Sequence, residues 1–253
     1  MIVAAALCPA APLLVRELTG TDPAVPELRA ACLAAAAELG AAAPDVIAVV
    51  GTADRSASWN AEWTLDPAVF APGSRGARAA DAAGRTPSPD LPAALGIGAW
   101  LLDQAACCGD RILRSVAHGE PAASCASTGA ALATAGERVA LLVMADGSAR
   151  RTPKAPGYLD ERSARFDASV QDAIRSGRLD MLLSVDADLA RELMATGRPA
   201  WQVLAGALRG RKVTSEVRYC DDPFGVAYLV ASLRTVDAEQ KGDPGCPNRS
   251  RLN

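Results

Sequence analysis

Asp45-Val46-Ile47-Ala48-Val49-Val50-Gly51 is the stretch that decides the fold. From Val46 to Gly51 it is an unbroken apolar run rich in β-branched residues, with no polar alternation. That pattern belongs to a strand covered on both faces, as in a parallel sheet layered with helices. The covering helix is legible directly upstream. Pro26 to Gly40 (PELRAACLAAAAELG) places Pro near the start, strong helix formers inside and Gly at the stop. Ahead of it, Ile2–Leu7 is a short apolar strand ended by Cys8-Pro9. Strand, helix and strand together predict a βαβ crossover.

Downstream, Leu91–Cys108 reads as helix, Arg111–Ala117 as strand and Ser124–Ala135 as helix. Arg138–Ala145 (RVALLVMA) is a further buried strand. From Leu159 to Arg175, apolar residues at helical spacing alternate with charges, so an amphipathic helix is expected. Short helices follow over Leu179–Val185, Ala187–Ala195 and Pro199–Leu208. Lys212–Tyr219 alternates apolar and polar residues, Asp221-Asp222-Pro223 makes a turn, and Phe224–Leu233 returns as the second strand of a hairpin. Thr52–Pro89 is irregular, with Trp59 and Trp63 read as pinning an edge hairpin. The expectation is an α/β fold: one domain over residues 1–236 with a central mixed, mostly parallel sheet sandwiched between helices. Residues 237–253 are expected to form a disordered tail.

Composition bounds the function. Half of the 253 residues are hydrophobic but only 4% are aromatic, so the core is built from Ala, Val and Leu. A net charge of −3 does not steer the chain toward nucleic acid or an anionic membrane. No uncharged run reaches membrane-spanning length. Seven cysteines form no C-x-x-C pair, so reduced thiols in a cytoplasmic protein are expected. Subunit number stays open, with a homodimer among the options. No cofactor is expected: Gly96-Ile97-Gly98 lacks the third glycine of a dinucleotide fingerprint, and there is no P-loop, nucleophile elbow or H-E-x-x-H.

Candidate chemistry gathers at strand exits, because ligands of open α/β sheets bind outside the carboxyl ends of the strands. Thr52 and Asp54 follow Val46–Gly51; Asp146 and Ser148 follow Arg138–Ala145. Asp54 and Asp146 can divide acid and base roles if burial separates their pKa values. His118, the single histidine, ends a strand and is the only imidazole base available. Arg150 and Arg151, with nearby Lys154, can pair with a carboxylate or phosphate. The candidate catalytic residues are therefore Asp54, Asp146 and His118, and the candidate ligand-binding residues Thr52, Ser148, Arg150 and Arg151. Capping and solvated-loop roles are the competing reading for each.

Four segments resemble the class III extradiol ring-cleavage dioxygenases, including their Memo-like branch. They are Cys8–Val15 (CPAAPLLV), Val49–Asp54 (VVGTAD), Met144–Ala149 (MADGSA) and the closing hairpin Tyr219–Tyr228 (YCDDPFGVAY). The resemblance implies the fold and a place for the site at the strand ends. It also implies iron-binding histidines where this chain carries Ala10, Ala53 and Ala149, and alanine can neither ligate a metal nor move a proton. The expected function is a divergent relative without the iron site that binds a small polar or anionic molecule, with non-oxidative chemistry. The alternatives are a non-catalytic interaction protein with a closed pocket and an oxygenase using other ligands.

Overall fold

The computed structural model describes residues 1–19, 25–70 and 84–236. The expected disordered tail, and the middle of the irregular segment, lie outside them. The elements in chain order are β1 (Ile2–Cys8), α1 (Arg16–Thr19), α2 (Pro26–Ala41), β2 (Val46–Ala53), β3 (Ala57–Trp59), β4 (Trp63–Leu65) and β5 (Thr86–Ser88). They continue with α3 (Ala93–Gln104), β6 (Asp110–Ala117), α4 (Ala122–Leu132), β7 (Val139–Met144), α5 (Arg162–Arg175), α6 (Ala187–Glu192), α7 (Arg198–Ala207), β8 (Val213–Asp221) and β9 (Tyr228–Thr235). Short 3-10 turns lie at Pro12–Leu14, Pro67–Val69 and Leu179–Ser184.

Seven strands form one sheet in the order β3-β6-β2-β7-β1-β9-β8. The β6-β2-β7-β1 centre is parallel, as the continuous apolar runs predict. The terminal β8–β9 hairpin joins antiparallel to β1, and β3 closes the other edge antiparallel to β6. The irregular segment departs from the expected edge hairpin. Trp59 sits on β3 in the main sheet, whereas Trp63 begins β4, which pairs in parallel with β5 in a separate two-stranded sheet. The two indoles still meet, with ring centroids 6.3 Å apart.

Side chains alternate across the central strands, so the sheet divides the core in two. One face carries Ala48, Val50, Val143 and Ala145 and is covered by α4, α5 and α7. The other carries Ile47, Val49, Leu142 and Met144 and is covered by α2 and α3. The alanine-rich composition permits close packing. A Cβ built on Gly129 of α4 would lie 2.1 Å from the Val203 carbonyl oxygen of α7, and one on Gly206 of α7 only 2.2 Å from the Ala126 oxygen. The two helices therefore touch backbone to backbone. The helix expected to stop at Gly40 runs one residue further, and Ala43 takes the left-handed conformation at φ 46°. Gly40 is there for space: a Cβ would stand 3.3 Å from the Cys107 sulfur. Among the described residues no helix is long and apolar enough to cross a membrane.

Candidate functional site

The four parallel strands deliver their carboxyl ends to one edge. Gly51 is level with Met144, Cys8 with Met144, and Ala53 with Ala117. The predicted site residues do collect at this edge, but in three separate groups.

Asp146 lies on the α2–α3 side. Its carboxylate accepts a hydrogen bond from the Ala10 N–H (3.1 Å), across the exits of β7 and β1. Burial raises its pKa to about 6, against the opposing pull of that N–H. Its charge in turn helps hold the Tyr228 phenol and the Cys32 thiol protonated, both of which are raised chiefly by burial. Ala10, at a position where the resembled family would place a metal ligand, thus contributes only its backbone.

Ser148 and Arg151 belong to a second group on the other side. Ser148 is fully buried and donates twice to Asp167 of α5, from its N–H (2.9 Å) and its hydroxyl (2.5 Å). Arg151 Nε donates to Asp222 (2.7 Å) and lies 3.9 Å from Asp167. Burial raises the Asp167 pKa, while the Ser148 bonds and Arg151 oppose the rise. Both cationic and hydroxyl candidates here are already partnered.

The third group forms around β6 and α7. His118 Nε2 stands 4.0 Å from an Asp54 carboxylate oxygen, ion-pair range when the ring is protonated rather than a hydrogen bond. The His118 N–H is held by the Ala53 carbonyl (3.2 Å). Behind it lies Arg198, the first residue of α7, only 3% exposed. Its guanidinium donates to Gln202 Oε1 (2.8 Å) and to the carbonyls of His118 (2.8 Å) and Glu120 (3.0 Å). A cavity of about 480 Å³ opens here, lined by His118, Arg191, Met194, Thr196 and Arg198 among others. Its wall, residues 193–197, is tied to the β7 exit by Ala149 N–H to Leu193 O and Gly197 N–H to Asp146 O (both 3.0 Å). Among the described residues, two polar groups near this edge are buried without a partner, Thr52 Oγ1 and Arg150 Nε. The Arg150 side chain borders Met194 of that wall across Gly157.

Asp167, Gln202 and Arg198 carry much of this architecture, yet no motif marks them in the sequence. Four of the cysteines, Cys8, Cys32, Cys107 and Cys125, are buried free thiols, and Cys108 and Cys220 are exposed ones. Burial raises the Cys125 thiol to about 11 despite nearby Arg198, which leaves it protonated and unreactive.

The metal site of the resembled family does not fit these residues. Ala10, Ala53 and Ala149 offer no donor, and Ala149 is itself buried with its N–H given to Leu193. Among the described residues no three His, Cys, Asp or Glu side chains converge to hold a metal ion.

No protein-family model matches the chain. Among curated proteins, it is 27% identical over 97 residues to protein CA_C1420 of Clostridium acetobutylicum. That stretch is 38% of this chain and 21% of the relative, so the match spans about a fifth of that protein's length. Among solved structures it resembles an uncharacterized protein, JW3007, from Escherichia coli K12. The TM-score is 0.50 at 13% identity, covering 92% of this chain and 99% of the other. That likeness concerns the fold alone, and it extends over nearly the whole chain.

Proposed function

We propose that this chain is a divergent extradiol-dioxygenase-like protein that binds a small anionic molecule, without iron, in the cavity between His118 and α7. One observation carries the reading. Among the described residues, Arg198 is a buried cation whose three hydrogen-bond partners are neutral oxygens, and no carboxylate there bonds to it. The amino end of the ten-residue helix α7 adds positive potential in the same place. A phosphate or carboxylate entering the cavity supplies the missing countercharge. Any proton transfer on such a ligand falls to His118, the single imidazole, which stands 4.0 Å from Asp54.

The lone histidine makes the test direct. In a ring-labelled sample one imidazole signal should appear, and inorganic phosphate or a small dicarboxylate should move it saturably. The same anion should stabilise the fold by about 2.7 kcal/mol at a hundredfold excess over Kd. His118→Gln should weaken that stabilisation with the unliganded protein still folded. If phosphate, sulfate and the carboxylates all leave the signal where sodium chloride of equal ionic strength leaves it, the proposal fails.

A further inference from the structure

We infer, building on the anion site proposed above, that the molecule held in the His118 cavity is a monoanion with an apolar body: a carboxylate on an aliphatic chain.

The charges around the cavity set the single charge. Arg191, which lines it, donates to Asp188 (2.7 Å), and His118 stands 4.0 Å from Asp54. Arg198 bonds only to neutral oxygens. One cation without a carboxylate matches one negative charge. A second charge on the ligand would lose its water without gaining a partner.

The wall sets the apolar body. A volume of about 480 Å³ is in the range that takes a drug-sized molecule, far more than an inorganic anion or acetate fills. Ala187, Ala190, Met194, Ala195 and Pro199 give it an apolar side. Among the described residues no aromatic side chain lines it, so the fit is to a flexible chain rather than a stacked ring.

Met194 is the independent observation. It ends α6 in a Schellman turn: its N–H donates to the Arg191 carbonyl (3.1 Å), and the Ala195 N–H donates to the Ala190 carbonyl (2.8 Å). Its φ is 56°, the left-handed conformation that this position normally gives to glycine. A methionine there strains the backbone and leaves a large apolar side chain 41% exposed on the cavity wall. The thioether is held in place against Gly157, where a Cβ would stand only 2.6 Å from its sulfur. An aliphatic ligand covers that side chain.

The test follows the imidazole signal of the ring-labelled full chain at matched ionic strength. The probes are sodium acetate, butyrate and hexanoate, with inorganic phosphate and uncharged 1-hexanol for comparison. Each added CH₂ should tighten binding about two- to fourfold, fourfold being full burial of a methylene. Hexanol should bind at least about tenfold more weakly than hexanoate, for want of the charged partner to Arg198. Glycine suits the backbone at this position, so Met194→Gly should keep the fold, yet weaken hexanoate about fivefold more than acetate. If thermal unfolding shows that variant unfolded, the wild-type series decides alone. Acetate and hexanoate within about twofold of each other, or a chain-length gain unchanged in Met194→Gly, would overturn the inference and leave the anion site standing. Hexanol binding as tightly as hexanoate, or no response to any anion, would overturn both.

Discussion

The two faces of the sheet use the same edge in opposite ways. On the α2–α3 side an acid, Asp146, is enclosed with one backbone N–H and protonated thiol and phenol neighbours. On the α4–α7 side a base and a buried cation, His118 and Arg198, border an open cavity. A carboxylate closed in without a cation resists ionisation, whereas a guanidinium given only neutral oxygens keeps its charge and presents it. Strand alternation separates the two: Ala145 points to one face, and Asp146 follows to the other.

The largest expected effect tests the packing beneath this contrast. Gly206→Val drives a branched side chain into the Ala126 backbone, which cannot yield, and should cost at least about 3 kcal/mol in denaturant unfolding. Gly98→Ala on the opposite face meets the Val49 and Met144 side chains, which can shift, and should cost only about 1–2 kcal/mol. Equal losses would mean the faces are equally tight.

The acid side makes a pH prediction. Asp146 has a folded pKa of about 6 against 3.8 for the free group. Below pH 4 the carboxyl is protonated in both states and folding is not penalised. As pH rises from 4 to 6 the unfolded chain releases this proton first, so stability falls, by about 3 kcal/mol at most. Asp146→Asn keeps an acceptor for the Ala10 N–H but cannot ionise. Its stability advantage over the wild type should therefore grow from pH 4 to pH 6 and then level off. An advantage that shrinks over that window would reverse the assignment.

Smaller effects sharpen the other side. Ser148→Ala strips two-point support to one at Asp167 and should cost about 1–3 kcal/mol by thermal unfolding. Thr52→Val removes a hydroxyl buried without a partner, so it should be neutral or stabilising by up to about 1 kcal/mol. A clear loss there would reveal a bond that Thr52 makes when the cavity is occupied.

Much of the layered fold was legible because its signals are local. The runs at Val46–Gly51 and Arg138–Ala145 became the parallel centre, and the Asp221-Asp222-Pro223 turn separates the paired strands β8 and β9. The strand-exit rule also placed Thr52, Asp54, Asp146 and Ser148 at one edge. It could not tell that Asp146 would bond to Ala10, Ser148 to Asp167 and Asp54 face His118, because those choices depend on the face each side chain takes. Arg198 was invisible for a different reason. It joins His118 across 80 residues of sequence, and a lone arginine opening an apolar helix carries no pattern until the chain has folded. The Trp59–Trp63 pair shows the converse: the contact is real, but the two residues serve different sheets.

The backbone-to-backbone seam between α4 and α7 has a consequence in time. Helices that meet at Gly129 and Gly206 have little slack to slide, and α7 begins at the arginine that grips the carbonyls of His118 and Glu120. Amide protons along this seam should be among the slowest in the molecule to exchange with solvent. On the proposed function, an anion arriving at the cavity meets a finished surface, and its capture is expected to follow a single fast phase, with no slower rearrangement behind it.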